Sequence, residues 1–223
     1  MKPTRPWRQQ KMSLIPTAAP TPGIRRAGAD DRTWVASLLG EAFMEDPVSS
    51  WVFPEAEQRR ALHPAFFGVF LDAALEEGSV EVTDDGSAAA LWLSVPAVAE
   101  ADVPAAIAED EKAAALMRAV SDPANERTEA VGRLTARVHP RHREHRYLML
   151  IGVDPGRQGQ GIGSALLGPA LRHCDSAGLP AYLEASSARS RSLYEREGFV
   201  FTGRTVDLPD GPPMWPMWRE PRG

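Results

Sequence analysis

The stretch that decides the fold is Val153–Leu167, which reads VDPGRQGQGIGSALL. Its three glycines, Gly159, Gly161 and Gly163, stand at alternate positions, and apolar residues at helical spacing follow them. Glycines at this density let a backbone come close to another group, because no Cβ atom blocks the approach. The nearly continuous apolar run His145–Val153 comes before and predicts a strand that is buried on both faces. The sequence therefore predicts a strand, a loop that approaches a bound group, and a helix.

The chain on either side of this unit predicts an α/β domain in the order β-α-α-β-β-α-α-β-α-β-α-β-β. Helical spacing of apolar residues predicts helices over residues 28–43, 57–77, 162–177 and 188–197, and two more across residues 100–138. A β-hairpin is predicted around Asp84–Gly86 and a last hairpin across Pro209–Gly211, because Asp-Gly suits a tight turn between apolar runs. Residues 44–58 are predicted to be a loop that Pro47 and Pro54 keep non-helical.

Three kinds of bound group could lie against the glycines. A nucleoside triphosphate is excluded, because its P-loop needs a lysine directly after the last glycine and the closest lysine is Lys112. A dinucleotide is disfavoured, because its fingerprint wants the glycines directly after the strand, whereas Asp154–Gln158 intervene. Glu184 does match the acidic residue of that fingerprint, so this alternative keeps some support. The chain that follows the loop is nevertheless too short for the further parallel strands of such a fold.

The third kind of group, a phosphate-bearing cofactor of another class, fits the loop best. Successive backbone N–H groups from Gln158 to Ser164 can form a concave nest at the start of a helix. The helix dipole and the unpaired N–H groups together favour a pyrophosphate at that position. A plain glycine-rich connection between strand and helix is the alternative.

Composition narrows the function classes. The net charge of −5 over 223 residues argues against nucleic acid as the main partner and favours a cationic small substrate. Cys174 is the only cysteine, which excludes a disulfide within the chain and disfavours a cysteine-based zinc site. No apolar run reaches the length of a membrane span, so we expect no membrane partner. The single cysteine fits a reducing cytoplasm, and we expect a cytoplasmic protein without a metal.

Residues 1–22 are predicted to be a disordered N-terminal tail, and residues 23–223 are predicted to form one domain. The first acidic residue is Asp30, and a basic start without acidic residues also fits a transit peptide. Five prolines in the first 22 residues oppose the amphipathic helix of such a peptide, so a tail is favoured. Both Met1 and Met12 are candidates for the natural start.

Two motifs carry a resemblance to a known family. Gln158–Gly163, QGQGIG, resembles the Gln/Arg-x-x-Gly-x-Gly/Ala motif of the GNAT superfamily of N-acetyltransferases, and Leu193–Phe199, LYEREGF, resembles its second signature. The likeness is closer to the family of puromycin N-acetyltransferase and its relatives over residues 24–220, and firmest over 147–203. It implies a mixed sheet with splayed central strands and flanking helices.

The resemblance also implies acetyl-CoA as cosubstrate, with its pyrophosphate in the glycine loop and its pantetheine arm along the preceding strand. Val153 N–H would polarise the thioester carbonyl. Gly152 would leave room for the arm, although a crowded strand explains that glycine equally well. Ser187 stands where many members carry an asparagine that contacts the cofactor. The implied cofactor-binding residues are Ile151, Gly152, Val153, Gln158, Gly159, Gln160, Gly161, Ile162, Gly163, Ser164 and Ser187.

Acetyl transfer to an amine requires a base for the amine and an acid for the departing thiolate. Tyr194 matches the recurring tyrosine of the family and is the candidate acid, with a packing aromatic as the alternative. Glu184 ends a strand that leads to the cleft and is the candidate base, with a paired structural carboxylate as the alternative. Glu41 and Asp46 are further candidate bases. The histidines of HPRHREH, residues 139–145, are expected in a solvated basic loop.

The acceptor pocket is implied to lie along AFMEDPVSSWVF, residues 42–53. Phe43, Trp51 and Phe53 offer flat apolar surface and Asp46 offers a countercharge, which suits an aromatic, cationic amine. For Phe43, packing in the core between two helices is the alternative. We therefore expect a monomeric or homodimeric enzyme that acetylates a primary amine of a small molecule by direct transfer in a ternary complex. The alternative is a non-catalytic module that binds acyl-CoA as a sensor or partner.

Overall fold

The computed structural model describes residues 22–223, so the tail predicted for residues 1–22 lies, except for its last residue, outside the described residues. The described chain forms an eight-stranded sheet in the order β1-β2-β3-β4-β5-β8-β6, with β7 beside β8. The strands are β1 (Ile24–Arg26), β2 (Gly78–Thr83), β3 (Ala88–Val95), β4 (His145–Val153), β5 (Ala181–Ala185), β6 (Val200–Phe201), β7 (Val206–Asp207) and β8 (Pro213–Arg219). The pair β4–β5 is parallel, and the other strand pairs of the described chain are antiparallel.

Helices cover both faces of the sheet. They are α1 (Arg32–Ala42), α2 (Pro47–Val52), α3 (Ala56–Glu77), α4 (Val103–Ser121), α5 (Glu126–Val138), α6 (Ile162–Ala177) and α7 (Ala188–Arg196). The apolar side of α6 packs with Leu148, Leu183 and Met217 on one face, while α1 and α3 pack with Val80, Val82 and Leu91 on the other. This arrangement confirms the predicted α/β class with a mixed sheet and flanking helices.

The prediction of a non-helical loop over residues 44–58 is wrong for Pro47–Val52, which form α2. Pro47 occupies the first turn of α2, where its missing N–H costs no hydrogen bond. Asp46 caps the helix, and its Oδ1 accepts from the N–H groups of Val48 and Ser49, both at 3.0 Å. A proline after an aspartate therefore begins a helix here.

The first strand of the predicted last hairpin is split into two short strands, β6 and β7. β6 pairs with Met217 and Trp218 of β8, and β7 pairs with Pro213 and Met214, so residues 202–205 interrupt a single long strand. The turn across Pro209–Gly211 is confirmed, with Asp210 at φ 51°.

The central strands separate beside the glycine stretch. β4 pairs with β3 along its whole length up to Val153, but it pairs with β5 only at Arg146 and Tyr147. A β-bulge opposite Leu91 and Trp92 bends β4 where the separation begins. This splay confirms the prediction for the central strands, and it corrects the expectation that β4 is buried on both faces. Most of its residues are only half-buried.

Candidate functional site

The glycine loop, which we define as residues 154–161, is shaped by left-handed backbone at two glycines. Gly159 has φ +80° and Gly161 has φ +82°, a conformation that residues with a Cβ adopt rarely. Gly161 is the N-cap of α6, and no side chain caps this helix. The first N–H groups of a 16-residue helix are thereby left for an external acceptor. A backbone nest for an anion is the chemistry that this geometry allows.

The third glycine has a different reason. A Cβ on Gly163 would lie 3.2 Å from Leu193 Cδ2, so this position lets α7 approach α6 closely. Ile162, by contrast, is buried against the sheet and anchors the first turn of α6. Gln160 is exposed, and its Oε1 accepts from Arg157 Nε at 3.2 Å.

Gln158 joins the loop to two neighbouring elements. Its Nε2 donates to the carbonyl of Val153 at 3.2 Å, and its Oε1 accepts from Arg189 Nη1 at 2.9 Å. Arg189 stands in the first turn of α7, and this cation beside the anion nest was missed by sequence reasoning. Its exposed position carries no sequence pattern that could have revealed it.

The end of β4 borders the space between the splayed strands. A Cβ on Gly152 would lie 2.9 Å from Leu39 Cδ2 and 3.0 Å from Ala42 Cβ, so the glycine makes room for α1. Of the two explanations for Gly152, the structure favours the crowded strand. The side chains of Ile151 and Val153 pack against the α6 core, and their backbone lies along the part of β4 that β5 does not pair with.

Ser187 lies at the opposite edge of that space as the N-cap of α7. Its hydroxyl accepts from the N–H of Ser190 at 3.1 Å, within a capping box. The serine thus has a structural task as the cap of α7. Ser164, in the first turn of α6, is half-buried beside the glycine loop.

Tyr194 is buried on α7, with 6% of the residue exposed, and its ring meets Phe199 edge to face at 6.0 Å. Its hydroxyl makes no hydrogen bond to the described residues. Burial, helped by the charge of Asp46, raises the pKa of Tyr194 well above its ordinary value. The phenol therefore keeps its proton at neutral pH and has no protein acceptor to share it with.

Glu184 lies near the end of β5 with only 4% of its side chain exposed. Tyr147 donates its hydroxyl to Glu184 Oε2 at 2.8 Å, whereas Oε1 has no hydrogen-bond partner among the described residues. Burial raises the pKa of Glu184 to about 7, although the hydroxyls of Tyr147 and Tyr182 both oppose the shift. A carboxyl with this pKa can both accept and release a proton at neutral pH.

Two of the three histidines in HPRHREH are not solvated, so that expectation is wrong for them. His139 follows α5 and packs edge to face on Tyr147 and Tyr182, with both ring centroids at 4.8 Å. His145 begins β4 and is 1% exposed. The exposed His142 is as expected. We call Tyr147, Glu184, His139 and His145 the Glu184 cluster.

The residues implied for the acceptor pocket are close together in the sequence, but they have different surroundings in the structure. Phe43 packs on Phe67 at 4.9 Å between α1 and α3, which supports core filling. Trp51 donates Nε1 to the carbonyl of Pro209 at 3.2 Å, and the guanidinium of Arg127 lies 5.1 Å from its ring centroid. The loop between β7 and β8 and the start of α5 therefore meet this tryptophan.

Asp46 has both carboxylate oxygens engaged, because Oδ1 caps α2 and Oδ2 accepts from the hydroxyl of Ser186. Burial nevertheless raises the pKa of Asp46, with the hydrogen bond from Ser186 opposing the shift. Ser186 follows β5 two residues after Glu184, so this bond brings the start of α2 to the same strand end. The other carboxylate considered as a base, Glu41, is exposed and lies 3.8 Å from Arg60.

Within residues 22–223, no group of three or more histidine, cysteine, aspartate or glutamate side chains is arranged so that it could hold a metal ion. None of the helices that the structure describes combines the length and apolar character needed to cross a membrane.

Comparisons with known proteins agree with this arrangement. A profile of the "Acetyltransferase (GNAT) family" matches residues 88–199. An uncharacterized N-acetyltransferase of Schizosaccharomyces pombe is 44% identical over 55 residues, which are 25% of this chain and 22% of the relative. A mycothiol acetyltransferase of Pseudarthrobacter chlorophenolicus is 33% identical over 156 residues, covering 63% of this chain and 48% of the relative. The chain thus spans about half or less of the length of the curated relatives it matches.

Among solved structures, a crystal structure of "histone acetyltransferase HPA2 and related acetyltransferase" from Corynebacterium glutamicum matches with a TM-score of 0.66. Its sequence is 26% identical, and the match covers 91% of this chain and 98% of that one. The likeness therefore includes nearly the whole described fold.

Proposed function

The chain belongs to the acetyltransferase (GNAT) family, and on that premise we propose that it transfers the acetyl group of acetyl-CoA to a primary amine of a small molecule. The transfer is direct, within a ternary complex. The observation that carries the proposal is that one fold contains both an uncapped helix start, at Gly161, and a buried carboxyl, Glu184, whose pKa is about 7. Donor binding and amine deprotonation each require one of these features.

The described residues fit acetyl-CoA. The N–H groups around Gly161 and at the start of α6 would hold its pyrophosphate, and Arg189 adds a positive charge beside them. The backbone of β4 up to Val153 would pair with the pantetheine arm, because β5 does not pair with it there. When bound, the cosubstrate supplies an acetyl thioester, and Val153 N–H would donate to its carbonyl oxygen.

Glu184 is the base of the proposed reaction. Near pH 7 about half of its population is ionised, and that fraction can take a proton from the ammonium group of the acceptor, directly or through a water. Tyr147 holds Oε2 in place and leaves Oε1 to receive the proton. Glu41 is less suited, because its exposed carboxylate has an ordinary environment beside Arg60.

Tyr194 is the acid. Its phenol is protonated at neutral pH and has no acceptor among the described residues, so it can give its proton to the sulfur that leaves. Cys174 takes no part, because it is a fully buried residue of α6.

For the acceptor we propose an aromatic, cationic amine, as the likeness to the puromycin N-acetyltransferase family suggests. Trp51 offers a half-buried aromatic surface, and the half-buried carboxylate of Asp46 favours a positive charge nearby. The net charge of −5 supports a cationic substrate over nucleic acid. Residues 23–223 would act as one domain in the cytoplasm.

A thiol-release assay with acetyl-CoA and a panel of amines tests the proposal. We expect release that depends on the amine and is greatest for aromatic cationic amines. Stabilisation of the protein by acetyl-CoA in a thermal shift, without thiol release for any amine, would instead support the sensor or partner module. Stabilisation by NAD and not by acetyl-CoA would support the dinucleotide alternative.

A further inference from the structure

Four ring nitrogens, two each from His139 and His145, and one carbonyl form an ordered chain behind Glu184. His139 Nδ1 lies 3.9 Å from Glu184 Oε1, and His139 Nε2 lies 3.1 Å from His145 Nε2. His145 Nδ1 lies 2.8 Å from the carbonyl oxygen of Arg143. These contacts join residues from the end of α5, the start of β4 and the end of β5.

The hydrogen bond to the Arg143 carbonyl determines which nitrogens of this chain carry a proton. A carbonyl oxygen can only accept, so His145 Nδ1 must carry a hydrogen and donate it to Arg143. In a neutral imidazole the other nitrogen is then bare, so His145 Nε2 accepts from His139 Nε2–H. His139 Nδ1 is therefore bare as well, and it faces Glu184 Oε1.

Both imidazoles are neutral at pH 7. Burial lowers the pKa of His139 to about 3, and the positive charge of Arg141 acts in the same direction. Burial also lowers the pKa of His145, against the hydrogen bond to the Arg143 carbonyl. The other groups that face the pair are Tyr147 on β4, Tyr182 and Glu184 on β5, His142 in the loop, and Asp110 of α4, which pairs with Arg141.

Glu184 Oε1 and His139 Nδ1 face each other, and no proton lies between them when Glu184 is ionised. With Glu184 ionised, Oε1 and His139 Nδ1 both offer lone pairs, and 3.9 Å is too long for a hydrogen bond. Once Glu184 Oε1 carries a proton, an approach of about 1 Å lets it donate to Nδ1. The bare nitrogen thus disfavours the carboxylate and stabilises the carboxylic acid.

We propose that His139 is a positioning residue that makes Glu184 a stronger base, by accepting a hydrogen bond from the protonated carboxyl, and that His145 fixes His139 in the required tautomer. The proton that leaves the ammonium nitrogen of the acceptor forms a bond to Glu184 Oε1, and His139 Nδ1 accepts a hydrogen bond from that O–H. No proton is lost or added, and no other reactant is needed. The inference rests on the proposed function, in which Glu184 is the base.

The test measures the midpoint of the Glu184 carboxyl by carbon-13 NMR, which needs no activity. We expect about 7 in the wild type, and about 6 in His139→Phe, because the ring remains buried but offers no acceptor. His145→Phe should give a smaller decrease, because it releases the tautomer and leaves Nδ1 in place. His142→Phe is the matched control, since His142 is an exposed histidine of the same loop and should leave the midpoint unchanged.

Nitrogen-15 NMR of the wild-type imidazoles gives a second result that requires no variant to fold. We expect His139 with a bare Nδ1 and a protonated Nε2. A protonated Nδ1, or the wild-type midpoint in His139→Phe, would overturn the inference. If the midpoints shift as expected while no amine supports thiol release, the proposed function fails and the pairing of His139 with Glu184 stands.

Discussion

The glycine loop follows the end of β4 that separates from β5, whereas the Glu184 cluster joins β4 to β5 near the residues where they still pair, and the two are built in opposite ways. The loop depends on backbone N–H groups and on left-handed glycines, all within residues 154–161 and the first turn of α6. The cluster depends on four side chains from α5, β4 and β5. Backbone chemistry suits a donor shared by many proteins, whereas side-chain chemistry can vary with the acceptor.

The largest expected effect comes from the cluster. Glu184→Gln should lower kcat by about 10³-fold, because the amide cannot accept the proton of the amine. The same change should raise the melting temperature at pH 8. The raised pKa of Glu184 means that its ionised form costs stability above the unfolded pKa, by up to about 3 kcal/mol once the pH exceeds about 7. Loss of activity together with loss of stability would contradict this account.

The second effect lies on α7, which contacts the glycine loop through Arg189. Tyr194→Phe should lower kcat by about 10²-fold and change KM for the amine little, because the phenol acts on the leaving sulfur. Stability should change little, since the hydroxyl makes no hydrogen bond to the described residues. Steady-state thiol release measures both constants, and an unchanged kcat would leave the packing of Tyr194 as its only role.

The third effect isolates the loop with a matched pair on one helix. Gly161 and Gly178 lie at the two ends of α6, both with positive φ, and a Cβ would contact nothing within 4 Å at either position. Alanine should cost each about 1 kcal/mol of stability. Only Gly161→Ala should weaken acetyl-CoA binding, by about tenfold, in a calorimetric titration. Equal affinities of the two variants would refute the nest.

The smallest effect concerns the acceptor. Asp46→Asn keeps an oxygen that can cap α2 but removes the negative charge. We expect KM for a cationic amine to rise about threefold, with no change in KM for acetyl-CoA. If Asp46→Asn is neutral and Asp46→Ala lowers the melting temperature, the carboxylate serves only as the cap.

The contrast between a loop built from backbone groups and a cluster built from distant side chains also explains which features the sequence could predict. The order of elements and the glycine loop follow from patterns among neighbouring residues, such as Gln158–Gly163, whereas the splayed sheet was implied by the family resemblance of those residues and Leu193–Phe199. The short helix α2 was missed because Pro47 was taken to break a helix, although its aspartate cap lets it begin one. His139 and His145 were assigned to a solvated loop, because a run of arginines and histidines hides which side chains the sheet covers.

Contacts across long separations could not be predicted. Glu184 and His139 are 45 positions apart, and Ser186 meets Asp46 across 140 positions. No periodicity records such pairs, and the burial that raises the pKa of Glu184 exists only when the sheet has formed.

The pH dependence of kcat/KM for an amine that stays protonated throughout tests the central claim most directly. The claim is that a buried carboxyl with a pKa of about 7 deprotonates the acceptor. Between pH 5 and 9 the rate should rise with pH through a midpoint near 7, and the rise should be absent in Glu184→Gln. A wild-type profile that is flat over this range, or one that Glu184→Gln retains, would contradict it.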